Sequence, residues 1–305
     1  MLNDWTEFCS QQEAGAAWAK VAPAISMESL FYRKVLEAAG YFADQELADP
    51  FLSQKEAALY SAAERLEAIS GLALACGRSG QEGEGEGLLL ARDTCATALL
   101  HASLWGNRAD LSLEPDAELV DGIPEEAEHA VHSSLVQELR AQNGYLLADD
   151  SSEWLAYVDQ EGGLHRLDFV TDNVGLELGA DMALISFLLE TDMAQRVTVH
   201  LKFHPTFVSD VTTEDWLRCL AWLAAGVAGE NGRELARRLQ EYAEEGRLVL
   251  TRDVYWTGPR LFWELPERWA EERFGGSGTT IFKGDANYRK LVGDRKWQET
   301  DRSFG

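Results

Sequence analysis

Apolar residues recur at helical spacing through much of the first half of the chain. Leu30, Phe31, Val35, Leu36 and Ala39 line one face of a helix predicted over residues 29–39, and Gly40 ends the run. Leu59, Ala62, Ala63 and Leu66 do the same over 55–69. Gly83, Gly85 and Gly87 alternate with Glu84 and Glu86, which reads as a flexible, self-repelling loop without chemistry. Helices are predicted again over 88–104 and over 125–142, the second stopped by Asn143 and Gly144.

The pattern changes near residue 150. A short apolar run at 164–170 ends in Thr171, Asp172 and Asn173, and 175–189 has a helical pattern. Residues 196–203 alternate, with Val197, Val199, Leu201 and Phe203 on one side and Arg196, Thr198, His200 and Lys202 on the other, so a strand with a polar face is predicted. Helices follow over 213–228 and 232–244, with Thr212 or Thr213 as N-cap ahead of Glu214 and Asp215. Short strands are predicted at 248–250 and 279–283. Strands alternating with helices give βαβ units and a mostly parallel sheet. The predicted fold class is therefore α/β. A mainly helical N-terminal region, residues 1–145, joins a three-layer α/β/α, Rossmann-like domain at 146–305. The boundary falls between 125 and 150.

Composition narrows the function classes. A hydrophobic fraction of 46% and a charged fraction of 26% over 305 residues exclude a wholly disordered or collagen-like chain. Lys and Arg number 27 against 52 Asp and Glu, for a net charge of -25, which repels nucleic acid and anionic membranes. The densest basic cluster, Arg289-Lys290 and Arg295-Lys296, has Asp285 and Asp294 among it, so neither nucleic acid nor membrane is an expected partner. Cys9, Cys76, Cys95 and Cys219 are scattered without a CxxC pair. Neither a disulfide framework nor a zinc site is expected, and a reduced, cytoplasmic setting is. Residues 1–20 lack the basic and apolar regions of a signal peptide, and the apolar stretch at 182–189 is far short of a ~20-residue membrane span.

Open α/β sheets bind ligands at the carboxyl ends of their strands. Three polar clusters fall at such ends: Asp172-Asn173 with Glu177, Ser209-Asp210, and the run from Lys283 through Arg289. Asp and Asn offer hard oxygen ligands suited to Mg²⁺ or Mn²⁺, and the helix starting near Gly175 would aim its amides at an anion. Each cluster has a plainer reading. Asp172-Asn173 reads equally as a turn and helix cap, Asp210 as a cap for the helix near 213, and 283–289 as a solvated helix start. His200 and His204 read as polar-face residues before a zinc pair. Trp216, Trp222, Trp256 and Trp263 read as core before a base-stacking platform. No GxxxxGK[ST], GxGxxG or GxSxG motif is present, which weakens kinase, dinucleotide-dehydrogenase and serine-hydrolase readings.

Taken in order, four segments carry more information than any one. They are Ser103-Leu104-Trp105-Gly106-Asn107-Arg108-Ala109-Asp110-Leu111-Ser112, Asp172-Asn173-Val174-Gly175-Leu176-Glu177, His204-Pro205-Thr206-Phe207-Val208-Ser209-Asp210, and 282–289 followed by Gly293-Asp294-Arg295-Lys296-Trp297. In this order and at these distances the chain resembles the damage-control phosphatase family, in its sugar-phosphate branch, over roughly residues 30–297. Some members of that branch also carry the description acidic-residue (protein-glutamate) O-methyltransferase. The resemblance implies a Mn²⁺ site (Mg²⁺, Co²⁺ or Ni²⁺ also serving) made by Asp172, Asn173 and Asp210. It implies catalytic roles for Asp172 and Asp210, and a substrate loop of Asp285, Ala286, Asn287, Tyr288 and Arg289, with Arg289 pairing with the phosphate. Asn107 and Asp110 then either reach the substrate or hold the two regions together. Glu177 either orients a metal-bound water or stabilises its helix. The substrates implied are fructose 1-phosphate and fructose 6-phosphate.

One departure stands out. The sugar-phosphate branch carries an Arg-Thr-x-Lys motif beyond the Gly-Asp-Arg-Lys-Trp segment, and this sequence reaches Gly305 without it. Either the sequence is truncated, or Lys283 and Arg289 supply the positive charge, or activity is impaired. The leading expectation is a metal-dependent phosphomonoester hydrolase acting on sugar phosphates. Methyl transfer from S-adenosylmethionine to protein glutamate and an inactive metal- or sugar-phosphate-binding relic are the alternatives.

Overall fold

The computed structural model describes residues 5, 6, 8, 10, 23–43, 49–79, 86–106, 146–276 and 278–295. Asn107, Asp110, Lys296, Trp297, the loop residues 83–85 and the helix predicted over 125–142 lie outside them.

Four short runs of β-branched and apolar residues pair into one sheet: β1 (Leu167–Val170), β2 (Val197–Lys202), β3 (Leu248–Asp253) and β4 (Thr279–Phe282). The order is β3-β2-β1-β4 and every pair is parallel. The chain thus moves outward from β1 through β2 to β3, then crosses back to lay β4 on the other side of β1. The loops leaving β1 and β4 diverge at the carboxyl edge, the crevice where such sheets take ligands.

The helices are α1 (Ala24–Ala38), α2 (Leu52–Ser61), α3 (Ala63–Ser79), α4 (Glu86–Trp105) and α5 (Ser151–Gln160) before β1. After it come α6 (Leu176–Glu190), α7 (Thr213–Ala224), α8 (Glu230–Glu244), α9 (Glu267–Phe274) and α10 (Asp285–Val292). The single helix predicted over 55–69 is two, parted at Ala62, whose N–H bonds Leu59 O in a tightened last turn. Glu86 and Gly87, predicted as loop, belong to α4.

Helix α6 is mostly apolar, with Glu177 and Asp181 in its first two turns, and is buried along its length up to Leu189, because α3, α4 and α8 surround it. Gly179 permits the closest approach, since a Cβ there would lie 2.1 Å from Leu66 Cδ2. The core that results is continuous from α2–α4 through α6–α8 to the sheet face formed by Leu167, Phe169, Val197, Val199 and Leu201. Each fully buried Leu in it contributes about 1.5–3 kcal/mol. Two helix starts are satisfied by side chains. Thr212 and Asp215 form a capping box on α7, and the Glu67 carboxylate of α3 accepts from the N–H groups of Asn231 and Gly232 on α8.

The opposite sheet face is polar, as predicted for β2, but it is buried: His200 and Lys202 are each 2% exposed. Parallel sheets are covered on both sides. Here the second cover is an aromatic cluster from the 3-10 turns Val254–Thr257 and Phe262–Glu264 and from α9, packed on Val170. His200 Nε2 sits 2.7 Å from Asp168 Oδ1, with its ring against Trp256 and Phe274. Trp216, Trp222 and Trp256 are buried as predicted, but Trp263 is 49% exposed, lying under the Arg295 guanidinium.

Helices α3 and α4 pack side by side and bring Cys76 and Cys95 into a disulfide, with Cα atoms 6.1 Å apart. This corrects the expectation of four unpaired cysteines. The bond follows from the crossing of two helices, which no cysteine spacing announces. Cys219 is buried and free. No helix among the described residues is long and apolar enough to cross a membrane.

Candidate active site

Three strand ends deliver the polar clusters to one place. The loop after β1 carries Asp172 and Asn173, and the loop after β2 carries Asp210. The two loops are stitched together: Asn173 pairs antiparallel with Asp210, Val211 N–H bonds Asp172 O at 2.8 Å, and Val174 N–H bonds Ser209 O at 2.8 Å. The capping alternatives do not hold. Gly175 precedes α6 with no side-chain cap bond, and Thr212 rather than Asp210 caps α7.

The end of β4 closes the third side. Gly284, at φ +81°, brings its backbone onto the Asp172 carboxylate, and a Cβ there would lie 1.9 Å from Asp172 Cγ. Alanine at 284 is expected to displace that carboxylate and to force a left-handed backbone on an L-residue. The cost is about 1–3 kcal/mol of stability. Urea unfolding checks it, and wild-type stability in Gly284→Ala would refute the arrangement.

Buried carboxylates dominate the electrostatics. Burial, then the Asp210 and Glu177 carboxylates, push the Asp172 carboxyl up to about 8 against the pull of Lys202. Burial also raises Asp210, opposed by Lys202 and Lys55. Lys202 Nζ lies 3.1 Å from Asp210 Oδ2 and donates to Asn287 Oδ1 at 2.9 Å. Glu177 and Asp181, one turn apart on α6, share Lys283, whose Nζ is 3.0 Å from Glu177 Oε1 and 2.8 Å from Asp181 Oδ1. Lys283 also donates to Ser103 O at 2.7 Å. Burial works to lower the Lys283 ammonium, but the two carboxylates outweigh it and hold its pKa above the usual value. Burial lifts Asp181 to about 6 despite Lys283.

This donor set fits a hard divalent cation. Two carboxylates forced together out of water are what such an ion relieves. Among the described residues no three His, Cys, Asp or Glu side chains gather closely enough to hold a metal. A cation held here would take the Asn173 amide as its third protein donor, with water or substrate oxygens completing the shell. Its Nδ2 now donates to Asp172 Oδ2 and Glu177 Oε2, while its Oδ1 accepts from Ser209 Oγ at 2.6 Å. Ligation through Oδ1 asks the amide to turn over, which Ser209 permits because a hydroxyl accepts as well as donates.

The remaining residues of the substrate loop separate by role. Asp285 and Tyr288 border a cavity of about 630 Å³, together with Glu177, Lys283 and Gly284. Leu100, Leu104, Trp154 and Ile281 form its apolar wall. Asn287 is 0% exposed, and its Nδ2 bonds Thr171 O and Lys283 O, so it braces the loops after β1 and β4. Ala286 is buried against Ile25 and Leu261. Arg289 turns away, its guanidinium bonded to Glu28 and Asp294. His200 and His204 have separate partners: Asp168 for the first, Pro205 O for the second, whose pKa burial lowers to about 4. Lys202 and Lys55, both bonded to Asp210, are the neighbours of the site that sequence reasoning missed. The first read as a polar strand position and the second as an ordinary helix residue.

Comparison with known proteins gives a consistent result. Residues 6–304 match the family model of the damage-control phosphatase ARMT1-like domain. The damage-control phosphatase ARMT1 of Danio rerio is 29% identical over 98% of this chain and 66% of its own length. Those of Rattus norvegicus and Homo sapiens are 31% and 30% identical over 66% of this chain and 45% of theirs. The chain thus spans about two thirds of the zebrafish relative, and the mammalian matches cover less than half of those proteins. A solved DUF89 family protein from Pyrococcus horikoshii aligns at TM-score 0.41 and 21% identity, over 80% of this chain and 63% of that one.

Proposed function

The chain belongs to the damage-control phosphatase ARMT1-like family, and from that premise we propose that it is a metal-dependent phosphomonoesterase acting on phosphorylated sugars of the fructose 1-phosphate and fructose 6-phosphate kind. The observation that carries the reading is the meeting of Asp172, Asn173 and Asp210 from two strand ends as buried oxygen donors, which reach the cavity only through Glu177 and Gly284, residues that touch Asn173 and Asp172 and line it. A bound Mn²⁺ would supply Lewis acidity to a phosphate oxygen and lower the pKa of its water.

The chain's own part is positioning and charge. Lys202 holds Asp210, and Lys283 pairs with Glu177, whose other oxygen meets the Asn173 amide. Helix α10 starts at Gly284 against Asp172, so its first amides and positive dipole end face the space where a phosphate would sit. Phosphoryl transfer asks mainly for such placement and charge stabilisation. Lys283 and Arg289 are tied to carboxylates, so the phosphate's positive partners in this proposal are the cation and the helix end. A cytoplasmic setting belongs to the same proposal.

The test is phosphate release from a panel of sugar phosphates after EDTA treatment and again with Mn²⁺. Release is expected to vanish with EDTA and to return with Mn²⁺, fructose 1-phosphate being among the substrates. Release indifferent to EDTA would remove the metal from the reading. Turnover of S-adenosylmethionine without phosphate release would replace hydrolysis by methyl transfer.

A further inference from the structure

Helix α2 contributes no ligand, yet it touches both loops that do. Lys55 Nζ donates to the backbone O of Asp210 at 3.0 Å and pairs with Asp215 Oδ2 at 2.6 Å and Asp49 Oδ2 at 2.8 Å. Nearly one turn further on, Ala58 lies against Gly175, where a Cβ would come within 3.3 Å of Ala58 Cβ and O. Lys55 is 3% exposed, so none of its three donors is spent on bulk water. Its three partners come from three segments: the chain ahead of α2, the loop after β2, and the first turn of α7. Asp215 Oδ2 in turn accepts from Thr212 N at 3.0 Å and Thr212 Oγ1 at 2.8 Å, so the same lysine also braces the cap that ends the loop.

That loop needs a brace. Phe207 and the β-branched Val208 both have positive φ, 46° and 66°, three and two residues before Asp210. Non-glycine residues keep such backbone only where the surroundings hold it. Lys202 engages the Asp210 side chain, and Lys55 engages its main chain from the other side.

We propose that Lys55 is a positioning residue that sets Asp210 for cation binding, acting through the Asp210 carbonyl and touching neither cation nor substrate. The inference rests on the reading of Asp172, Asn173 and Asp210 as ligands. Lys55→Met alone takes a cation from Asp49 and from the buried Asp215, which keeps Arg218 on its other oxygen. The informative companion is Lys55→Met with Asp215→Asn, which keeps an acceptor for Thr212 and removes the charges of that buried pair, leaving the less buried Asp49 without its cation.

Amide hydrogen exchange of the metal-free chain is read for residues 206–212, with 167–170 as the internal reference. Mn²⁺ affinity is read by calorimetry. In the double variant, exchange at 206–212 is expected to speed up about tenfold with 167–170 unchanged. The Mn²⁺ Kd is expected to rise about 10- to 100-fold, as when ligand-orienting groups are removed. The KM for fructose 1-phosphate at saturating Mn²⁺ is expected to stay put. Unchanged exchange overturns the proposal, as does exchange that rises equally everywhere. Faster exchange at 206–212 with an unchanged Kd makes Lys55 a structural brace only, and also overturns it. Should the wild-type chain bind no Mn²⁺, the metal reading itself falls, and with it the cation-setting role, whereas the exchange comparison still decides whether Lys55 holds Asp210.

Discussion

Replacing Asp172 by Asn is expected to lower Mn²⁺-dependent phosphate release by about 10³-fold or more, the scale of losing a primary charge-stabilising group. The change keeps the side-chain shape against Gly284 and removes one negative charge from a buried cluster. Its effect on the metal-free fold has the opposite sign. The folded carboxyl titrates near 8, against an ordinary value of 3.8. Between those values the folded chain retains a proton that the unfolded chain has released, so the wild-type chain loses stability as pH climbs through that window. The Asp172→Asn variant, with no proton to release at this position, would lack that slope. The melting temperature of the metal-free variant is therefore expected to exceed that of wild type at pH 8, with the gap closing towards pH 4. Retained wild-type Mn²⁺ affinity, or a lower melting temperature at pH 8, would remove Asp172 from the site.

Lys283→Met should be the most destabilising single change described for this site. It strands Glu177 and Asp181, both buried on consecutive turns of α6, and leaves Ser103 O without its donor. Breaking a buried ion pair from one side costs about 3–5 kcal/mol. By contrast Arg237, which pairs with Glu234 and Glu241 on the surface of α8, is expected to lose less than about 1 kcal/mol on replacement by Ala. Denaturant titrations of the two variants side by side make the comparison. Equal losses would mean that Lys283 is not the counter-charge of that pair. Adding Asp181→Asn to Lys283→Met should recover part of the loss, because it removes one of the two stranded charges.

What was legible in the sequence is what neighbouring residues encode. The alternation of Val197, Val199 and Leu201 marked β2, and the helical patterns marked α4, α6 and α8 to within a few residues, whereas the single helix read over 55–69 is α2 and α3 and runs on to Ser79. Asp172-Asn173 and Asp210 stood out because polar residues follow apolar strands there. The partners of these residues did not stand out. Lys55 meets Asp210 across 155 residues, and Lys283 meets Asp181 across 102, separations that no period of 2 or 3.6 can register. The polar residues of β2 also misled. His200 and Lys202 alternate with apolar neighbours as an exposed face would, but an aromatic layer from 254–282 covers them, and each is paired with a buried acid. Asn287 shows the limit of motif reading, since its amide is wholly engaged in holding two loops together.

The Cys76–Cys95 bond gives the fold a dependence on its surroundings that the sheet and the carboxylates do not have. With a separation of 19 residues, the closed loop removes unfolded-state freedom worth about 3 kcal/mol. The same chain would then be a sturdier molecule in an oxidising compartment than in a reducing one. The bond lies in α3 and α4, apart from the loops that carry Asp172 and Asp210, so its state would set how long the fold lasts rather than how those two carboxylates are held.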